Sequence, residues 1–188
     1  GPATLAFAIR DVGGFTPGVF LASARFSGPG ILNSAVVDVV LTVTAGPSRP
    51  PFGYLDTPAD GAEGLQGAVA VTGWALDDLG VTKVELYRDP LSGEATRPNG
   101  KVYVGDATFV PGARPDVTAL HPGLPNATRA GWGYMLLTNM LPGQGNGPFV
   151  LHAYAYDGEG LSTLLGSRSI TCANATATKP FGTIDTPG

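Results

Sequence analysis

Four carboxylates fall at two predicted turns. Asp77-Asp78 precedes Leu79-Gly80, and Asp157-Gly158-Glu159-Gly160 separates two apolar runs. Calcium favours oxygen ligands carried on loops. Asp77, Asp78, Asp157 and Glu159 are therefore the candidate metal ligands, with calcium the one ion considered and no other cofactor expected. Asp56 and Asp60 lie near the start of the same segment. If these turns share one end of a fold, three or four carboxylates converge. None of the spacings matches an EF-hand or a glycine-rich calcium repeat. Aspartate at a turn also bonds nearby backbone amides with no metal present, so both readings stay open.

Aromatic side chains form a second candidate set. Flat apolar rings stack on the CH faces of sugars when they are presented together. His152, Tyr154 and Tyr156 alternate with apolar residues and should line one outward stripe. Trp132 and Tyr134 complete the candidate carbohydrate-binding set, with Trp74 and Tyr87 as further aromatics. Against this, each tryptophan stands beside glycine at a strand edge, which suits packing beneath a loop.

Nucleophilic catalysis has little to work with. His121 and His152 are the two histidines, one in a loop and one mid-strand. No serine sits in a nucleophile-elbow pattern. The chain is expected not to be an enzyme. Cys172 is the single cysteine, so an intrachain disulfide and a multi-thiolate metal site are both excluded. It ends an apolar stretch and reads as a small buried hydrophobe.

The elements that must position these residues are strands. With 28 glycines and 17 prolines in 188 residues, long helical windows are broken too often to form. A 43% hydrophobic content still provides a core. The net charge of −4 argues against a nucleic-acid partner. No apolar run approaches the roughly 20 residues of a membrane-spanning helix. Strands are expected near 52–56, 66–75, 81–88, 101–108, 132–138, 148–157 and 163–172. Seven short strands with turn signals between them predict a β-sandwich. Residues 110–131 break the pattern as a long irregular loop, with Pro115-Asp116-Val117-Thr118-Ala119-Leu120 suited to one helical turn. Before residue 46, runs at 4–9, 19–26 and 35–44 form a small β segment, with Gly28-Pro29-Gly30 as a turn.

An echo organises the chain. Pro51-Phe52-Gly53-Tyr54-Leu55-Asp56-Thr57-Pro58 returns as Pro180-Phe181-Gly182-Thr183-Ile184-Asp185-Thr186-Pro187. Repetition at domain length is the mark of a tandem array. The expected division is a small or partial β module over 1–46, a stiff linker over 47–51, a sandwich over 52–175, and a linker with the first strand of a following repeat over 176–188. Gly1-Pro2 reads equally as native sequence or as a tag scar.

Several motifs carry a family likeness. They are Gly73-Trp74-Ala75-Leu76-Asp77-Asp78, Arg114-Pro115-Asp116-Val117, Pro122-Gly123-Leu124-Pro125-Asn126, Ala130-Gly131-Trp132-Gly133 and His152-Ala153-Tyr154-Ala155-Tyr156-Asp157-Gly158-Glu159-Gly160. Over residues 51–174 the chain resembles a bacterial immunoglobulin-like tandem repeat of secreted or surface proteins. Ser27-Gly28-Pro29-Gly30 and Val39-Val40-Leu41-Thr42-Val43 resemble the closing strands of a BACON-type sandwich module. The resemblance implies an all-β, immunoglobulin-like antiparallel sandwich and a non-catalytic role outside the cell or on its surface. That role is structural or adhesive. Separately, the strand over 181–187 and the unfinished sheet before residue 46 suggest head-to-tail assembly by strand addition. The alternative is a carbohydrate-binding accessory module of a secreted enzyme. Expected partners are neighbouring modules of the same or an identical chain, with polysaccharide the alternative. Nucleic acid and membrane insertion are not expected.

Overall fold

Alternation of apolar and polar residues is the first determinant of the architecture. Phe149, Leu151, Ala153 and Ala155 are buried and occupy every second position of one strand, as the period of two requires. A computed structural model describes residues 15, 17–26, 35–43 and 48–177. The expected strand at 4–9, the turn at 28–30, Gly1-Pro2, residues 44–47 and the repeated motif at 180–187 lie outside the described residues.

The chain divides into two units, Gly1–Ser48 and Arg49–Gly188. In the first, β1 (Gly18–Phe26) and β2 (Ala35–Val43) pair antiparallel, from Gly18 opposite Val43 to Phe26 opposite Ala35. Both runs are rich in β-branched and aromatic residues. Leu21 and Val40 on this ribbon are exposed.

The second unit is a two-sheet sandwich. Its strands are β3 (Phe52–Thr57), β4 (Ala62–Leu65), β5 (Ala68–Leu76), β6 (Lys83–Arg88), β7 (Val102–Asp106), β8 (Thr108–Phe109), β9 (Gly131–Leu137), β10 (Asn146–Tyr156) and β11 (Ser162–Ala173). One sheet has the order β4-β11-β10-β6-β7 and the other β3-β5-β9-β8. All pairings are antiparallel except β4 with β11. This is the all-β, immunoglobulin-like sandwich that the sequence predicts. The inner faces interdigitate through Leu55, Val71, Val84, Leu86, Trp132, Leu151 and Ile170. Cys172 is buried among them. Arg168 points into this interior and donates to the carbonyls of Pro58 and Leu55, tying β11 to the β3–β4 side.

The expected strand at 101–108 divides. Its first part, β7, joins the five-stranded sheet, and its end, β8, crosses to the other. Ala107 marks the switch, donating its amide to Val84 at 2.8 Å. The long loop contains helix α1 (Pro115–Leu120), with proline in its first turn and Asp116 beside it. Val117, Ala127 and Ala130 from this loop bury against Leu76, with Trp74 and Leu124 packed around them. The loop therefore covers the outer face of the four-stranded sheet around Trp74 and Leu76, while Tyr54, Met135 and Leu137 remain exposed. Arg114 pins it there, reaching Asp56 at 2.6 Å and Asp116 at 2.7 Å.

The topology places the entry into β3 and the exit from β11 far apart. β3 enters beside the end of β5, with Phe52 opposite Leu76. β11 leaves beside the start of β5, where Gly67 donates to Asn174 at 3.0 Å and Gln66 to the Ala173 carbonyl at 3.1 Å. β5 has 9 residues and spans about 30 Å at roughly 3.3 Å per residue.

Candidate functional site

The turn carboxylates gather at the entry end. Asp77 follows β5, and Asp157 follows β10. The two turns meet there because Thr82, which closes the β5–β6 connection, donates its amide to Tyr156 and its hydroxyl to Asp157 O at 2.9 Å. Asp77 is 1% exposed and Asp157 4%. Each uses one oxygen as a turn acceptor. Asp77 Oδ1 receives the amides of Leu79 and Gly80, both at 3.0 Å. Asp157 Oδ1 receives those of Glu159 and Leu161, both at 2.8 Å. Oδ2 of each is buried without a hydrogen-bond partner. Burial pushes the Asp77 carboxyl above its ordinary range, and the charges of Asp78 and Asp157 push the same way against the two amides.

The other expected ligands go elsewhere. Asp78 Oδ2 accepts the Arg49 amide at 3.3 Å, while Glu159 gives a backbone amide to the turn. Asp56 is taken by Arg114, and Asp60 accepts the Ser169 amide at 2.8 Å. Among the described residues, no three His, Cys, Asp or Glu side chains group to hold a metal. The four-carboxylate cluster thus reduces to one buried pair.

The aromatic set separates by sheet face. Trp132 is 2% exposed in the core, and Tyr134 packs on that core with its hydroxyl on Val104 O at 3.3 Å. Both lie on inward positions of β9; the Trp132 ring is enclosed, whereas Tyr134 is half-buried and also lines a cleft with Arg88, Val102 and Met140. Trp74 faces outward but lies under the long loop, where Phe52, His121 and Arg114 surround it. Tyr154 and Tyr156 do face outward from the five-stranded sheet, together with Tyr87 and Tyr103. The long loop does not reach this face. The β6–β7 connection supplies Arg97, Pro98 and Asn99, which with Glu85, Tyr87, Tyr103 and Tyr156 line a cleft of about 400 Å³. Burial works to raise the Glu85 carboxyl, but hydrogen bonds from Lys83, Tyr87 and Tyr156 outweigh it and hold the group below its usual range.

His152 is 7% exposed and has both ring nitrogens engaged. Nδ1 lies 2.7 Å from Ser167 Oγ and Nε2 lies 2.9 Å from Asp89 Oδ1. Asp89 also receives Lys101 at 2.9 Å, which with His152 holds its carboxyl below the ordinary value. Sequence reasoning missed this Ser-His-Asp chain. No sequence signal marks it, since His152 meets Ser167 only through the register of β10 and β11. The bonds knit three elements together: Ser167 lies within a strand ladder rather than on an exposed turn where a nucleophile is presented.

No family model matches the chain, so neither the tandem-repeat family nor a BACON module is matched, and no curated protein matches it. A solved structure of Clostridium thermocellum CbhA fibronectin(III)-like modules aligns with a TM-score of 0.39 and 15% identity. The alignment covers 91% of this chain and 70% of that one. At that level the fold assignment rests on the strands and register described above. No helix among the described residues is long and apolar enough to cross a membrane.

Proposed function

We propose that residues 49–177 form a non-catalytic immunoglobulin-like module of a multidomain extracellular or cell-surface protein, acting as a spacer or adhesive element. The observation that carries this reading is the separation of entry and exit along β5, by about 30 Å. A module whose chain enters at one end and leaves at the other extends an array, and proline-rich joints stiffen it. Head-to-tail association by strand addition belongs to the same reading, since β3, β4, β7 and β8 are sheet edges. Small-angle scattering on two copies of residues 49–188 in series tests it. A maximum dimension about twice that of one copy is expected; a folded-back, compact pair would overturn the spacer role.

A second reading has one specific observation in its favour. The cleft formed by Tyr87, Tyr103 and Tyr156 with Glu85, Arg97 and Asn99 combines rings and polar groups in the way sugar sites do. On this reading the module binds polysaccharide through the outer face of the five-stranded sheet, with Tyr154 at its border. Retardation in gels cast with a panel of polysaccharides, lost in Tyr103→Ala, is the expected result. Migration unchanged across the panel removes it.

A further inference from the structure

Two buried carboxylates with one orphaned oxygen each are a costly arrangement. A buried polar group without a partner loses its hydration uncompensated, and a buried ionised one loses far more. Proteins keep such pairs when something positive completes them. At the entry end, Asp77 and Asp157 are nine-tenths buried or more, and their Oδ1 atoms are consumed by turn amides. Their Oδ2 atoms are left over, and the charge of Asp157 is among those that raise the Asp77 carboxyl. Among the causes that shift Asp77, the charges of Asp78 and Asp157 are both negative.

The geometry points to a single calcium ion held between Asp77 Oδ2 and Asp157 Oδ2, locking the β5–β6 connection to the β10–β11 turn. The donor set is hard oxygen alone, which suits calcium rather than zinc or copper. Main-chain carbonyls of the two turns and water complete its shell, as they commonly do on loops. With only two carboxylates, the affinity belongs to the weak extracellular class, with a dissociation constant on the order of 0.1–1 mM. The ion would sit at the end where the chain enters the sandwich, beside the Arg49–Asp78 contact. Asp78 and Glu159 are not part of this site.

The test begins with the whole chain stripped by EDTA and then titrated with calcium chloride at pH 7. A saturable rise of a few degrees in melting midpoint is expected, with one calcium per chain by calorimetry. Asp77→Asn with Asp157→Asn keeps an amide oxygen for each turn and should abolish the response. Asp78→Asn with Glu159→Gln should retain it. Terbium luminescence from the wild type, sensitised by Tyr156 and quenched by calcium, supplies a readout that needs no variant. Equal midpoints in EDTA and calcium would overturn the proposal. So would a calcium response that follows Asp78 and Glu159 instead. A wild type that gains stability only as pH falls, with no calcium or terbium response, would show that the pair shares a proton.

Discussion

Glu94 is held by a two-pronged contact. Arg88 reaches its two oxygens at 2.6 Å each, and the Leu91 amide donates at 2.7 Å. The Arg88 hydrogen bonds come first in drawing the carboxyl from an ordinary 4.5 down to about 2. A folded-state value below the unfolded one gives stabilisation that is complete above the unfolded value and fades below it. The Arg88–Glu94 contribution should therefore be constant at neutral pH and disappear between about pH 4.5 and pH 2. Asp116 moves the same way through Arg114, whereas Asp77, shifted upward, gains on acidification. Comparing wild type with Glu94→Gln isolates the first effect. The gap between their melting midpoints should be steady above pH 5.5 (about one unit above the ordinary glutamate value) and should close as pH falls. A gap that persists unchanged at pH 2 would refute the assignment. Neither this pair nor the His152–Ser167–Asp89 chain was legible in the sequence. Their partners come from the unpatterned connection after β6 and from a register that shifts at Ala153/Tyr154, and no local spacing encodes either.

Elements were far more legible than contacts, because burial on one face writes alternation directly into a strand. The seven expected strands and the helical turn at Pro115–Leu120 all occur. β4 went unseen because Ala62-Glu63-Gly64-Leu65 lacks β-branched residues, and its parallel pairing with β11 is distant in sequence. The crossing at Ala107 is marked by a slip in the alternation, since Val104, Ala107 and Phe109 all pack on the core, but a one-residue slip with no turn residue at it does not reveal a change of sheet. Trp132 and Tyr134 of the aromatic set lie on the inward side of β9, and the sequence left that open because period two separates two faces but does not say which is inside. Gly73 settles that for β9. A methyl group there would strike the Tyr54 carbonyl and lie 2.5 Å from the Trp132 ring. Gly73→Ala should cost about 3 kcal/mol through overpacking, lowering the midpoint by roughly 10 °C. Gly133→Ala meets only Thr72 at 3.7 Å and should melt nearly as wild type. Equal midpoints for the two variants would mean that Trp132 does not pack across β5 as described.

At the scale of the whole molecule, the question is where cooperative stability resides. Every residue of both core clusters lies between Leu55 and Cys172, and the two compact units divide at Ser48. A two-stranded ribbon cannot cover both of its faces and is marginal alone. The exposed Val19, Leu21, Val36 and Val40 fit that description. The sandwich, by contrast, closes its core between its own two sheets and under its own long loop. Deleting residues 1–48 should therefore leave the melting midpoint of the remainder within about 2 °C, less than the shift that 1 kcal/mol produces at this size. A drop of about 4 °C or more on deletion would mean that the sandwich draws part of its core from the ribbon. The roughly 30 Å span of β5 would then no longer measure the length of an independent module.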